Sequence, residues 1–224
     1  MIKKETLDFL KQLKKHNSRE WFSAHKNLYN DAYWNVSDIA MFLIENIHSF
    51  DDSVRGVDPK DCIFRIVRDT RFSPDKTPYK TNFGVFIKRD GRKTPGAGYY
   101  LHIEPGSCMI SGGIYMPPAK ELAAIRAAIA ADPEVMRKIL AEPHFAEEFG
   151  HLWGDTVKTA PRGYPKDHPS IDLIRHKHYI VGKEISDDEV IGSSFPKSCV
   201  NSFRIVCRFN QYLNTIMAQM KTHF

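Results

Sequence analysis

Apolar residues recur every three or four positions before residue 62 and after residue 117, but not between them. In the middle stretch they form short runs rich in Val, Ile and aromatic residues, divided by Gly, Pro, Asn and Asp. A helical period that gives way to short strands and then returns restricts the chain to an α+β architecture.

Leu7, Leu10 and Leu13 predict a first short helix. Ser18 is a good cap for a second, whose apolar side runs through Trp21, His25, Leu28, Ala32, Val36, Ile39, Leu43 and Ile47. One long helix over residues 18–49 is expected. Residues 51–61, with Gly56 and Pro59, form a connection. The runs 62–67, 83–88, 98–104 and 108–115 read as strands. Glu104-Pro-Gly-Ser107 closes the last two as a hairpin, and Asp90-Gly91 marks a turn in a polar, mobile region over 89–96. Consecutive strands with short links favour antiparallel pairing. Helices return at Pro118, break at Asp132-Pro133, and include a short piece over 143–149. Residues 150–169 read as a long ordered loop, residues 179–181 as an edge strand, and Phe195 to Met220 as a C-terminal helix. The expectation is a single domain over 1–224. Its mainly antiparallel sheet of about four to five strands is packed by a long N-terminal helix, a middle helical segment and a C-terminal helix.

A chain of 224 residues buries a core without staples. Cys62, Cys108, Cys199 and Cys207 form no C-x-x-C pair and sit in apolar runs, so they read as reduced core residues of a cytoplasmic protein. The start shows no leader, and no apolar run is long enough to span a bilayer. Residues 60–93 hold ten basic and four acidic side chains, an excess of +6 in a chain whose net charge is +5. The basic excess is therefore local, which favours a specific anionic partner.

That excess centres on Arg65-Ile-Val-Arg68-Asp69-Thr-Arg71-Phe72-Ser-Pro-Asp75-Lys76-Thr-Pro-Tyr79-Lys80. Guanidinium forks, ammoniums and a phenol suit oxyanions, phosphate above all. Arg65, Arg68, Arg71, Lys76 and Tyr79 are the candidate anion-binding residues, with Asp69 and Asp75 holding the cations in place. The alternative is an internal ion network that only fixes the loop.

Strand alternation puts Tyr100, His102 and Glu104 on one face. His102 and Glu104 are the candidate acid–base pair. Read as metal ligands they need a third, for which His25, His168 or His178 stand open, so no metal or other cofactor is assigned. Arg162 and Tyr164 lie in a segment ending at Pro169 that reads either as a lid over the arginine cluster or as a strap on the core. Asn17-Ser-Arg-Glu-Trp-Phe22 reads chiefly as a capped helix start, with Arg19 able to reach an anion. Walker, G-x-G-x-x-G, H-E-x-x-H and G-x-S-x-G signatures are absent.

The run from Arg65 to Thr81, the Asn17–Phe22 stretch, Gly98-Tyr-Tyr-Leu-His102, Tyr115-Met-Pro117 and Pro161-Arg-Gly-Tyr-Pro165 resemble an uncharacterised bacterial domain-of-unknown-function family. The resemblance spans nearly the whole chain. It implies one soluble α+β domain and carries no catalytic assignment. Three functional expectations follow. The first is an anion- or phosphate-recognising domain for a nucleotide, phosphorylated metabolite or nucleic-acid backbone. The second is a nucleic-acid binding module using a basic tip of Lys88, Arg89, Arg92 and Lys93, with Phe83, Tyr99 and Tyr100 as stacking rings. The third is a non-catalytic interaction domain. No membrane partner is expected, and the oligomeric state is open.

Overall fold

The computed structural model describes residues 1–221. In chain order it contains α1 (Lys4–Lys15), α2 (Arg19–Ala24), α3 (Lys26–Ile47), a 3-10 turn (Asp52–Val54), α4 (Pro59–Cys62), β1 (Phe83–Ile87), β2 (Gly98–Ile103), β3 (Cys108–Ile114), α5 (Ala119–Ala131), α6 (Pro133–Leu140), α7 (Pro143–Phe149), α8 (Ile171–Ile174), β4 (Tyr179–Ile185), α9 (Asp187–Ile191) and α10 (Phe195–Lys221). The fold is α+β, with one antiparallel sheet in the order β1-β2-β3-β4. β4 lies at an edge and is longer than its sequence signal.

Tertiary contacts divide the chain into two compact units, neither of them one continuous stretch. The first holds residues 1–94, 100–110 and 184–201, and the second holds 95–99, 111–183 and, of the described residues, 202–221. In the first unit Leu7, Leu10 and Leu13 of α1 and Val36, Ile39, Ala40, Leu43 and Ile47 of α3 are buried. So are Phe83, Val85 and Ile87 of β1. Burial of each such side chain stabilises the fold by about 1.5–3 kcal/mol. In the second unit Ile125, Ile129, Met136, Ile139, Phe145 and Phe149 form the core with Phe203, Val206 and Phe209 of α10. There Gly113 takes φ 117°, and a Cβ on it would stand 2.0 Å from the Tyr179 carbonyl oxygen, so only glycine fits.

Three expectations change. The long helix over 18–49 is interrupted at His25 (φ -115°, ψ 25°). The His25 ring stacks on Trp21 at 4.2 Å, and its Nδ1 lies 2.8 Å from the Trp21 carbonyl oxygen, which the helix would otherwise use alone. Cys62 ends α4, and residues 63–68 join β1 and its approach only through the bridges Ile63–Val85 and Val67–Tyr79. The reason is a bulge. Phe64 N–H bonds to Gly84 O and Lys80 N–H to Ile66 O, so Thr81, Asn82 and Phe83 oppose Arg65 alone. Finally, the 89–96 segment is tied down rather than loose. Thr94 Oγ1 donates to the Arg89 and Gly91 carbonyls, and the Arg92 backbone N–H donates to Asp61 O.

All four cysteines are buried with free thiols. Burial raises the Cys62 thiol to about 12 and the Cys108 thiol to about 11, which leaves both unreactive. The 150–169 loop is ordered, bridging Trp153 to Ile180 and Thr156 to His176.

Candidate functional site

The hairpin over 63–80 carries the arginine motif, and most of its cations are bonded within its own loop. Arg68 NH1 donates to the Asp75 carboxylate and to the Thr77 hydroxyl. Asp75 also accepts from the Thr77 backbone N–H at 2.9 Å. The Arg68 hydrogen bond leads these contacts in pulling the Asp75 carboxyl down to about 2. Arg71 grips Asp69 with both arms, Nε to Oδ1 at 3.0 Å and NH2 to Oδ2 at 2.7 Å. Lys76 Nζ donates to the Thr70 carbonyl at 2.9 Å. Tyr79 stacks on Phe22 at 4.0 Å.

Two other cations of the first unit meet over the ring of Phe64, and a third, Arg65, acts on one of them. Lys80 Nζ stands 5.3 Å from its centroid and Arg92 Cζ 5.6 Å. Arg92 NH1 is anchored on the Asp61 carbonyl at 2.7 Å. Arg65 is exposed and close enough to act on the Lys80 ammonium and, on its other side in the chain, on the Asp69 carboxylate. Burial, then repulsion from Arg65 and from Arg92, holds the Lys80 ammonium below its ordinary value. Among the described residues none of these three side chains pairs with a carboxylate within ion-pair distance.

Beside Phe64 runs a hydrogen-bonded chain on β2. Tyr100 packs edge-on against Phe64 at 6.3 Å. Its hydroxyl lies 2.9 Å from His102 Nδ1, and His102 Nε2 lies 3.2 Å from Glu104 Oε2. Thr81 donates to Glu104 Oε1 at 2.8 Å, and Asn82 Nδ2 sits 3.4 Å from His102 Nδ1. Both partners come from the bulge, which turns their side chains out of the ladder. An ionised Glu104 only accepts, so Nε2 of a neutral His102 carries the hydrogen and Nδ1 accepts from Tyr100. Burial, with the Glu104 charge second, pushes the Tyr100 phenol up to about 12, so it stays a neutral donor. The space for that hydroxyl exists because residue 84 is glycine. A Cβ there would meet Tyr100 Oη at 2.9 Å and Phe64 Cδ2 at 3.1 Å.

The structure thus brings His102 and Glu104 together and ties Arg68, Arg71 and Lys76 to loop partners. Of the expected nucleic-acid face, Lys88, Phe83 and Tyr99 are buried in the core, so the two rings offer no stacking surface, while Arg89 and Lys93 remain exposed. Arg162 and Tyr164 belong to the second unit, where Arg162 is exposed and Tyr164 meets His168 edge-on at 5.9 Å. The second unit also holds a hollow of about 280 Å³ lined by Ile139, Phe145, Glu142, His144, Arg204 and Arg208. Among the described residues no group of three or more His, Cys, Asp or Glu is placed to hold a metal ion. Nor is any helix long and apolar enough to cross a membrane.

Sequence reasoning did not single out Phe64, Thr81, Asn82 or Gly84 for the site. It counted Lys80 and Arg92 among the basic residues without joining them to Arg65. The signal for Lys80 was its place in the motif. Arg92 was placed on the basic tip with Lys88, Arg89 and Lys93, but nothing signalled its approach to Phe64, which is distant in sequence.

A family model described as a conserved hypothetical protein, DUF2461, matches residues 5–212. No curated protein and no solved structure matches the chain.

Proposed function

This chain belongs to the DUF2461 family of conserved hypothetical proteins, and we propose that it recognises a phosphate-type oxyanion through Arg65, Lys80 and Arg92. One observation carries the reading. Lys80 and Arg92 stand over one aromatic ring with no carboxylate at ion-pair distance from either, and Arg65 and Arg92 both depress the Lys80 ammonium. Like charges held together disfavour the charged state, and a multivalent anion relieves that repulsion. A guanidinium fork and an ammonium together suit phosphate oxygens. Arg68, Arg71, Lys76 and Tyr79, expected from the sequence to bind the anion, serve in this reading as the scaffold that shapes the hairpin. Four buried thiols suit a reducing, cytoplasmic setting.

The test is a thermal-shift and calorimetric comparison with inorganic phosphate and pyrophosphate. A ligand at about 100 times its Kd stabilises the native state by about 2.7 kcal/mol. Wild type and Arg71→Ala should respond alike, and Lys80→Ala and Arg65→Ala should lose the response. A flat response in wild type, or equal loss in Arg71→Ala, rejects the site.

A second reading makes the bound anion a substrate. It is favoured by the chain Tyr100–His102–Glu104, which joins a proton-carrying hydroxyl to an oriented imidazole. His102 Nδ1 then accepts the Tyr100 proton as Tyr100 takes one from a water attacking phosphorus, the ester P–O bond breaks, the departing alkoxide takes a proton from solvent, and Glu104 fixes the tautomer by accepting from Nε2–H. Release of phosphate from a generic phosphomonoester, abolished in His102→Gln with phosphate binding intact, would support it. Equal turnover in that variant discards it.

A further inference from the structure

Phe72 is 93% exposed, the most exposed large apolar side chain among the described residues. It sits at the tip of the loop over 69–77, where the arginine motif forms its internal network. Arg68 ties Asp75 and Thr77, Arg71 ties Asp69, and Lys76 ties the Thr70 carbonyl. A loose loop folds such a ring inward, because burial of a phenyl group is favourable by about 1.5–3 kcal/mol. Here the bonded loop holds the ring outward. The network therefore has a geometric product, a phenyl ring presented to a partner.

We infer that Phe72 is a stacking platform for an unpaired base, and that the hairpin over 63–80 binds single-stranded nucleic acid. This rests on the anion site above, which supplies the phosphate contacts on the same hairpin through Arg65 and Lys80. Three features select this partner class. The ring stands alone among charged and polar loop residues, so it lacks the apolar surround of a protein hot spot. One phenyl group offers too little apolar area for stable membrane anchoring. Base stacking needs only one open π-face, and cations elsewhere on the hairpin engage the backbone of neighbouring nucleotides. The Arg71 guanidinium lies over one face of the ring, 5.8 Å from its centroid, and the exposure of Phe72 leaves the other face to a base.

The experiment is fluorescence anisotropy of the full chain with labelled mixed-sequence single-stranded DNA and RNA oligonucleotides over a salt series. Wild type should bind, with log K falling against log salt by about 0.7 for each phosphate neutralised. Phe72→Ala should weaken binding about tenfold or more. Phe72→Leu should match Phe72→Ala, since it keeps apolarity and loses the π-face. Phe72→Trp should bind as wild type, with its emission quenched by the bases. Lys80→Ala should lower the salt slope by about 0.7. Phe72→Leu binding like wild type overturns the stacking role. So does retention on phosphatidylserine vesicles without oligonucleotide binding. A phosphate response with no oligonucleotide binding overturns this inference and leaves the anion site standing. Phe72-dependent oligonucleotide binding with no phosphate response and an unchanged salt slope in Lys80→Ala keeps the stacking role of Phe72 and overturns Arg65 and Lys80 as its phosphate contacts.

Discussion

Asn17 exchanges two hydrogen bonds with the backbone of Tyr79: its Nδ2 donates to the Tyr79 carbonyl at 2.9 Å, and its Oδ1 accepts the Tyr79 N–H at 3.1 Å. A side-chain amide thus pairs with the outer side of the hairpin where a neighbouring strand would otherwise sit. Phe22 stacks on the Tyr79 ring from the same helical start. Asn17→Ala leaves both backbone groups unpaired in a half-buried position. The expected loss is about 2 kcal/mol of unfolding free energy, read from urea denaturation. Asn17→Asp keeps the acceptor only and should lose roughly half as much. Equal stability of all three proteins would remove the clamp from the account.

Gly84 and Tyr100 make a second dependence. Gly84→Ala puts a methyl group 2.9 Å from the Tyr100 hydroxyl, which must move away from His102. Overpacking of this kind costs about 1–3 kcal/mol. Tyr100→Phe removes the nearest atom, so the double variant should recover part of the loss, with a coupling near 1 kcal/mol in a double-mutant cycle. Simple additivity would mean that the strand relaxes elsewhere.

These two relationships also show where the sequence was legible. Strands β1, β2 and β3 were readable because each is a short apolar run between turn residues, and alternation alone set Tyr100, His102 and Glu104 on one face. α3 was readable from its stripe, but its break at His25 was not, because a histidine fits a helical period as well as it fits a break. The 63–68 segment has strand composition yet bridges its neighbour at only two points, since the two-residue excess at Thr81–Asn82 belongs to the other side of the hairpin. The pairing of Arg71 with Asp69 is local enough to foresee. Whether Arg68 would turn to Asp75 or to a ligand depends on the turn at Arg71–Phe72, closed by the Ser73 N–H on the Thr70 carbonyl, and composition does not specify that. The approach of Arg92 to Phe64 depends on tertiary contact alone.

The loop network should be acid-sensitive. The Asp75 carboxyl is depressed from 3.8 to about 2, so its folded form holds a proton less readily than its unfolded form. Its contribution is therefore fully present above 3.8 and is lost as pH falls through about 2. A carbon-13 titration should find Asp75 still ionised at about pH 3, and Arg68→Ala should return its midpoint toward the ordinary value. An unshifted midpoint in the wild type would show that the Arg68 contact is absent in solution.

Lys80 should behave in the opposite sense to a stabilising ion pair. Its pKa is lowered from 10.5 by burial and by Arg65 and Arg92, so between the folded and unfolded values the unfolded chain binds more protons. Stability then rises with pH through that window, and below it the charged ammonium opposes folding. Lys80→Met keeps the aliphatic stem over Phe64 and removes the charge, so the free protein should melt at or above the wild-type temperature. The same variant should lose the phosphate response, because the repulsion that disfavours the free state is what an anion relieves. In wild type the phosphate affinity should decline as pH rises through the lowered Lys80 value, and in phosphate-free Arg65→Ala an NMR titration should find Lys80 losing its proton at a higher pH, because one repelling neighbour is gone. A Lys80→Met protein that melts lower and still responds to phosphate would show that Lys80 is a structural cation, and the anion site would have to be sought elsewhere on the chain.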